Sequence, residues 1–220
     1  MKKILLFIFL MSGMAIAPSL KAQVIRGAVV GGFNLTQVDG DEVYGYNQIG
    51  FNVGASAIIP LGKHWSVSLE NSFTQKGSYQ SQQYSDSLFT GEYRLRLNYV
   101  QVPLLIHYND QDRLTFGAGA SWGRLVGTKE VEHGGLQPPY SDSIPFDKDD
   151  FCVIADLRFR LYQRLHFNFR YSYSLTPIRE RQFTQLNGET FMRKQYNNVI
   201  SVRLIWIFNE VLKPKNPEDQ

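Results

Sequence analysis

The chain has 220 residues, a formal net charge of +3 and one cysteine. Without the leader described below, about 200 residues remain, which fits one domain. The leader carries three lysines. Its removal brings the net charge close to zero, so bulk charge gives no reason to expect nucleic-acid binding. One cysteine cannot form an intrachain disulfide, and the scattered histidines lack zinc-ligand spacing, so no metal or cofactor is predicted.

The first 22 residues have the pattern of a secretory signal peptide. Lys2 and Lys3 form a basic start, an apolar segment runs from Ile4 to Ala17, and the small Ala22 stands where cleavage is expected. The apolar segment is short for a membrane-spanning helix, and a retained N-terminal anchor is the alternative. We therefore expect residues 1–22 to be removed after export.

Eight segments that alternate between apolar and polar residues follow, and each predicts a β-strand. The segments are 25–34, 49–60, 64–76, 92–108, 113–126, 150–162, 164–177 and 194–208. Several exceed the roughly 9–11 residues that a tilted strand needs to cross a bilayer. Strands of soluble proteins are shorter, about 5–6 residues. The strand lengths therefore favour a membrane barrel over a soluble sandwich.

The connections between these segments alternate in length. Short polar turns lie at 60–63, 109–111 and 163, and long polar segments lie at 35–48, 77–91, 127–149 and 178–193. Outer-membrane barrels have short periplasmic turns and long extracellular loops. The fold prediction for 23–208 is an all-β, eight-stranded, antiparallel up-and-down transmembrane barrel, with a polar periplasmic tail at 209–220.

One face of each predicted strand carries charged residues that should point into the lumen. An eight-stranded barrel is just wide enough for its own side chains to fill it, and unpaired buried charge is costly. We therefore expect a structural charge network, and an anion passage through an arginine-rich interior is the alternative. The predicted network contains Arg26, Glu70, Arg94, Arg96, Asp156, Arg158, Arg160, Arg170 and Arg203, with His64 and His166 also inside.

Aromatic residues stand near the ends of the predicted strands. Trp65 begins one strand and Trp206 nearly ends another, and both should lie at the periplasmic interface. Trp122, Tyr171 and Tyr173 come late in strands that run outward, and should lie at the outer interface. Aromatic rings favour both membrane interfaces, so these five residues are predicted to form two girdles.

The fourth predicted strand departs from simple alternation. Its outward face is predicted to contain Tyr93, Leu95, Leu97 and Tyr99, yet the opposite face becomes apolar after Tyr99. Pro103 cannot donate a ladder hydrogen bond, which suggests a bulge or a locally buried face. An ordinary irregularity and a docking surface both fit this pattern. Tyr99, Pro103 and Leu105, and the tail after Phe208, are the candidate partner contacts.

One loop could hold a catalytic group. His133 lies close in sequence to Ser141, Asp142 and Ser143. A hydrolase at the outer rim would need a nucleophile, a base and an orienting residue. Clusters of this kind also arise from composition alone, so no catalytic residue is assigned.

The chain resembles the PorT-like family of small outer-membrane β-barrel proteins of Bacteroidota. The resemblance lies in Gly50–Gly54, Pro60–Lys63 before Trp65, Gln75–Gly77, Tyr99–Tyr108, Arg170–Thr176 and Asn197–Ser201. Two features depart from the family pattern: Gln101 stands where glutamate is common, and the chain continues past Phe208. Most members of the family are uncharacterised porin-family proteins, and its namesake is tied to type IX secretion.

The resemblance implies a non-catalytic role as a structural or accessory subunit of an outer-membrane complex. The alternative is a stand-alone small porin or ligand-binding barrel, and an outer-membrane enzyme comes third. The expected location is the outer membrane of a Gram-negative bacterium. The expected partners are outer-membrane lipid and other outer-membrane or periplasmic proteins.

Overall fold

A computed structural model describes residues 25–41, 43–81, 83–85, 88–90, 92–110, 113–132, 145–184 and 190–210. The predicted signal peptide, the candidate catalytic loop residues His133, Ser141, Asp142 and Ser143, and the tail from 211 onward lie outside the described residues. Within these ranges, no helix is long and apolar enough to cross a membrane.

The described residues form eleven strands, eight of which close into a ring. The ring contains β1 (Arg26–Asp39), β2 (Gln48–Pro60), β3 (Trp65–Gln80), β6 (Tyr93–Asp110), β7 (Leu114–Glu132), β8 (Asp149–Tyr162), β9 (Leu165–Ser174) and β11 (Thr190–Ile207). Each ring strand pairs antiparallel with its neighbour, and β1 pairs with both β2 and β11. The predicted eight-stranded up-and-down barrel is confirmed.

Three short strands lie outside the ring. β4 (Gln83–Ser85) and β5 (Leu88–Thr90) pair with each other between β3 and β6. β10 (Arg179–Thr184) pairs with the first part of β11. All three lie at the end of the barrel with the long connections, which is the extracellular end.

Several ring strands extend further at the extracellular end than the alternation predicts. β1 reaches Asp39 rather than residue 34, β3 reaches Gln80 rather than 76, and β7 reaches Glu132 rather than 126. These extensions are mostly polar, and their few apolar residues do not alternate regularly, so the pattern that marks a strand is lost. Backbone pairing continues there without it, because interstrand hydrogen bonds do not need an apolar face.

The two faces of the barrel wall are inverted relative to a soluble protein. On β2, the side chains of Ile49, Phe51 and Val53 are 60%, 59% and 56% exposed. The intervening Asn52 is buried, as is Ser56 further along the strand. A continuous apolar exterior of this size would aggregate in water, whereas a bilayer requires it.

Strand β6 has the opposite phase to the one predicted. Leu95, Leu97 and Tyr99 face inward and are fully buried. Arg94 and Arg96 alternate with them and point outward, so their assignment to the lumen network is wrong. The physical reason is that the extracellular part of the lumen holds an apolar plug, which takes the apolar face of the strand.

The outward arginines lie beyond the aromatic girdle rather than in lipid. Val102 pairs with Trp122, and Arg94 lies eight residues further along the strand. At about 3.4 Å per residue this distance carries Arg94 well past the outer interface, into water. There its guanidinium pairs with Glu92 at 2.8 Å and lies 4.8 Å from the centre of the Tyr79 ring.

The same phase overturns the predicted partner contacts on β6. Tyr99 and Leu105 are 0% and 1% exposed, and Pro103 is also buried on the inward face. A partner in the membrane cannot reach these side chains through the barrel wall. The outward positions of the strand are instead Val100, Val102, Leu104 and Ile106.

The predicted irregularity exists, but in a different form. The register between β6 and β7 shifts between Asn98 and Tyr99, where β7 contributes the extra residue Val126. The pairing of β3 with β6 skips Glu70 and Asn71. These two residues lie opposite Pro103 and its neighbour, and a proline has no N–H to donate to the ladder. The wall is therefore locally unpaired between β3 and β6.

Candidate functional site: the filled lumen

A charge cluster fills the middle of the lumen, and Glu70 on β3 is one of its two carboxylates. Glu70 Oε1 accepts a hydrogen bond from Arg203 Nη1 at 2.8 Å, and Glu70 Oε2 accepts one from Arg170 Nη2 at 3.1 Å. The three residues are 1–3% exposed. Strands β3, β9 and β11 are thus tied together across the barrel axis.

Asp156 on β8 is the second carboxylate of the cluster. Its Oδ1 accepts from Arg170 Nη2 at 3.0 Å, and its Oδ2 lies 3.5 Å from Arg158 Nε. Asn168 bridges the cluster: its amide donates to Asp156, and its Oδ1 accepts from Arg203 Nε at 2.8 Å. Buried charges are tolerated when paired and hydrogen-bonded in this way.

His107 on β6 joins the cluster as a hydrogen-bond acceptor. Its Nε2 lies 2.7 Å from Ser68 Oγ and 3.1 Å from Arg158 Nη2. A guanidinium can only donate, so His107 Nε2 must accept. Gly117 leaves the space for this ring, because a Cβ there would lie 2.3 Å from His107 Nδ1.

The cluster is not electrically balanced. Three guanidinium groups, those of Arg158, Arg170 and Arg203, face two carboxylates, those of Glu70 and Asp156. Within this group of residues one positive charge is left over. The charge cluster in the middle of the lumen therefore carries a net positive charge.

A separate ion pair lies further toward the extracellular end. Lys76 Nζ donates to Asp150 Oδ2 at 2.8 Å, and the two residues are 2% and 0% exposed. Ser174 and Asn197 donate to the same carboxylate at 2.7 and 2.8 Å. The Lys76 ammonium also lies 5.0 Å from the centre of the Tyr99 ring. The two opposite charges of this pair cancel, so the pair adds no net charge to the lumen.

An apolar plug closes the extracellular part of the lumen. Its members are Val38, Leu95, Leu97, Tyr99 and Ile178, each at most 1% exposed. Four of them come from β1 and β6, whereas Ile178 comes from the connection after β9. The chain leaves the wall at Leu175 and turns inward, which explains why the strand predicted to reach 177 ends at Ser174.

A salt bridge covers the plug. Arg179 Nη1 and Nη2 donate to the two carboxylate oxygens of Glu130, each at 2.9 Å. The guanidinium lies 4.0 Å from the centre of the Phe146 ring, and Tyr93 Oη donates to Glu130 at 3.0 Å. A bidentate pair fixes both position and orientation, so this contact holds the inward-turning segment in place.

A residue from the tail, Glu210, lies at the periplasmic end of the lumen. Glu210 is 6% exposed and forms ion pairs with Arg160, with His166 Nε2 at 3.1 Å and with Arg26 Nη1 at 4.0 Å. Burial alone would raise the pKa of the Glu210 carboxyl. Its hydrogen bond with His166 and the charges of His166, Arg160 and Arg26 hold that pKa below its usual value. The expected tail thus folds back at its first residues.

The aromatic residues of the predicted girdles lie on the outer surface. Trp65 and Trp206 are 49% and 41% exposed at the end with the short turns, and Trp65 packs edge-on against Tyr108 at 5.2 Å. Trp122 and Tyr171 are 44% and 36% exposed toward the other end, and Tyr173 is half-buried there. The outer surface thus has aromatic side chains toward both ends of its apolar belt.

Sequence reasoning missed Lys76, Asp150 and Glu210 as lumen residues. The first two could have been found, because Lys76 continues the inward series of β3 and Asp150 continues that of β8. Glu210 has no such signal, since it follows the end of the last strand. Among the described residues, no group of three potential metal ligands comes together.

The polar lumen, the apolar exterior and the closed ring of strands define an outer-membrane β-barrel. Similar solved structures include Ail of Yersinia pestis, with 14% identity, coverage of 84% of this chain and 99% of that chain, and a TM-score of 0.46. Neisserial surface protein A has 11% identity, coverage of 83% and 97%, and a TM-score of 0.48. OprG of Pseudomonas aeruginosa has 12% identity, coverage of 86% and 98%, and a TM-score of 0.44.

The sequence comparisons assign the family. No curated protein sequence matches the chain. The family described as outer membrane protein beta-barrel domain matches residues 22–180, which is more than half of the chain. The chain belongs to this family, and it is a protein of the Gram-negative outer membrane.

Proposed function

We propose that this protein is a non-catalytic structural or accessory subunit of an outer-membrane complex, as its resemblance to PorT-like proteins implies. The observation that carries the proposal is the filled lumen. The apolar plug, the Lys76–Asp150 pair and the charge cluster around Glu70 succeed one another along the barrel axis. A barrel packed in this way offers substrates no open passage, so a role through its outer surfaces is favoured.

A groove on the lipid-facing wall supports lateral contact with another protein. It is lined by small residues of β1 and β2 and by Leu69, Asn71, Val102 and Phe208. Asn71 is exposed on this otherwise apolar face. Its backbone lies where the pairing of β3 with β6 is interrupted. A polar amide facing lipid is unfavourable, and a partner that hydrogen-bonds it would remove that cost.

Asn71 lies between the two aromatic girdles. A path of paired residues leads from Trp206 through Val29 and Ala55 to Asn71. On the other side of Asn71, Val102 of β6 pairs with Trp122. Because barrel strands are tilted, this path climbs from one interface to the other, and Asn71 falls midway. We therefore propose this groove as the contact surface, in place of the inward-facing Tyr99, Pro103 and Leu105.

The test is purification of the tagged protein from its native outer membrane in mild detergent, with mass spectrometry of the proteins that accompany it. We expect a stoichiometric partner with the wild-type chain and its loss with Asn71→Leu. Ala155→Leu adds an apolar side chain on a distant part of the wall and serves as the matched control. Purification of the wild-type chain as a monomer, without a partner, would overturn the accessory role. Equal recovery of the partner with Asn71→Leu would show that the groove around Asn71 is not the contact surface.

The second candidate is a small ligand-binding or porin-like barrel, and the charged residues around Glu210 at the periplasmic end of the lumen favour its ligand-binding form. Planar-bilayer recordings separate the porin form from the accessory role. The filled lumen predicts no steady conductance from the purified protein. Single-channel steps from the wild-type chain would favour the porin.

A further inference from the structure

The periplasmic mouth of the barrel holds a cavity of about 360 Å³. Its charged lining consists of Arg26, Lys63, Arg158, Arg160, His166 and Glu210. This volume lies within the range of ligand pockets, roughly 300–1,000 Å³. The cavity lies beside the turn between β2 and β3, so it faces the periplasm rather than the lipid.

The lining carries far more positive than negative charge. Arg158 is paired with Asp156 in the central cluster, which itself has a surplus positive charge. The remaining cations of the lining are Arg26, Lys63 and Arg160, and the first and last of these share one carboxylate, that of Glu210. A second anion would therefore be attracted to the cavity.

One polar group in the lining lacks a partner. The Nε of Arg160 is buried and has no hydrogen-bond partner among the described residues. Within the part of the chain that the structure describes, Arg160 donates through its Nη2 to Glu210. A planar guanidinium carries five N–H donors, so Arg160 keeps donor capacity for a further carboxylate.

Glu210 belongs to the segment that follows the last strand of the barrel, and it folds back into the cavity. β11 ends at Ile207, and the chain reverses through Asn209, whose φ of 54° lies in the left-handed region. Asparagine tolerates this conformation better than most residues. The reversal delivers the Glu210 carboxylate to Arg160 and His166. Glu210 thus behaves as a tethered ligand of a cationic site.

We propose that the periplasmic mouth is a binding site for carboxylates, occupied in this structure by the chain's own Glu210. A free polycarboxylic acid or an acidic peptide segment in the periplasm would displace Glu210 and bind Arg26, Lys63 and Arg160. Tethering gives Glu210 an effective concentration in the millimolar range, so it reduces the affinity for an outside ligand without preventing its binding. This site is independent of the proposed accessory role.

The test is isothermal titration calorimetry of the full chain, folded in neutral detergent at pH 7 and low salt. Citrate represents a small acid, tetraglutamate represents an acidic peptide, and trimethyl citrate is the uncharged control. We expect Glu210→Gln to bind one of the two anions about tenfold more tightly than the wild type, because the tethered competitor loses its charge. The tighter-binding anion identifies the class of natural ligand.

Two further variants test whether the binding depends on the cavity itself or only on the overall positive charge of the protein. Lys63 lies in an exposed turn, and Lys63→Gln should lower the affinity severalfold without disturbing the fold. Arg113→Gln removes an exposed arginine from another periplasmic turn outside the cavity lining and should leave the affinity unchanged. Equal binding by wild type and Glu210→Gln, binding of trimethyl citrate, or an equal effect of Arg113→Gln would each overturn the proposal.

Discussion

The two halves of the lumen are built on different principles. The extracellular half is an apolar plug with one compensated ion pair, Lys76–Asp150, beneath it. The periplasmic half is rich in arginine, holds a surplus of positive charge and opens into a cavity. Both halves lie inside one ring of eight strands, so the ring does not dictate how its interior is filled.

The comparison shows how an eight-stranded barrel can be sealed at one end and remain accessible at the other. An apolar plug excludes water and ions and needs no counter-charge. An arginine cluster stays cohesive only while its carboxylates are present, and its surplus charge attracts further anions. The sealed half therefore favours stability, and the open half favours binding.

The largest expected effect comes from Glu70→Gln in the periplasmic half. The variant leaves Arg170 and Arg203 buried with only Asp156 as counter-charge. Breaking a buried ion pair on one side typically costs about 3–5 kcal/mol, and we expect a loss of this size in the free energy of unfolding. Urea unfolding in phospholipid vesicles, followed by tryptophan fluorescence, measures it. An unchanged unfolding midpoint would contradict the interpretation of this half as held together by charge.

A smaller loss is expected from Lys76→Met in the extracellular half. Asp150 would lose its cation, but Ser174 and Asn197 would still donate to it. We expect a loss of about 2–3 kcal/mol in the same unfolding assay. Adding Asp150→Leu should recover part of it, because it removes the carboxylate left without a cation, although Ser174 and Asn197 then lose their acceptor. A double variant less stable than Lys76→Met would mean that this half depends on charge as the other half does.

The extracellular end of the barrel should respond to pH through Asp41, which lies just after β1. Burial raises the pKa of the Asp41 carboxyl from 3.8 to about 6, against the opposing hydrogen bond from Ser78 and the charge of Arg179. Between these pH values the folded chain holds a proton that the unfolded chain releases, so this contribution to stability falls as the pH rises from about 4 to about 6.

The effect of Asp41 should amount to about 2–3 kcal/mol at most, since one pKa unit corresponds to 1.36 kcal/mol. Unfolding midpoints at pH 4 and pH 7 measure it. Asp41→Asn should reduce the difference between the two pH values. If the wild type and Asp41→Asn show the same pH dependence, the carboxyl does not titrate in this range.

The smallest expected effect comes from a pair outside both halves. Glu180 and Lys194 lie on β10 and β11, 49% and 60% exposed, with a distance of 3.5 Å between Lys194 Nζ and Glu180 Oε1. Exposed pairs contribute little, so Glu180→Gln should change the free energy of unfolding by less than about 0.5 kcal/mol. This variant is the baseline for the others. A loss comparable to that of Glu70→Gln would show that any removed carboxylate destabilises the barrel.

The candidate site could be predicted only in part. Asp156, Arg158 and Arg170 lie on strands with clear alternation, and the structure places them inside as that alternation indicates. Arg94 and Arg96 lie on a strand with two apolar faces, where alternation does not define which face is inward. The apolar plug decides it, and the plug depends on Ile178 from another part of the chain.

The sequence by itself determined the number of strands in the ring, their antiparallel order and the outer-membrane location. Alternation has a period of two, and the bilayer sets the strand length, so both can be read locally. Only the tertiary structure decided which charges meet, because Glu70 and Arg203 are 133 residues apart and Lys76 and Asp150 are 74 apart. Such partners are selected by the register and tilt of the closed ring, which no single strand encodes.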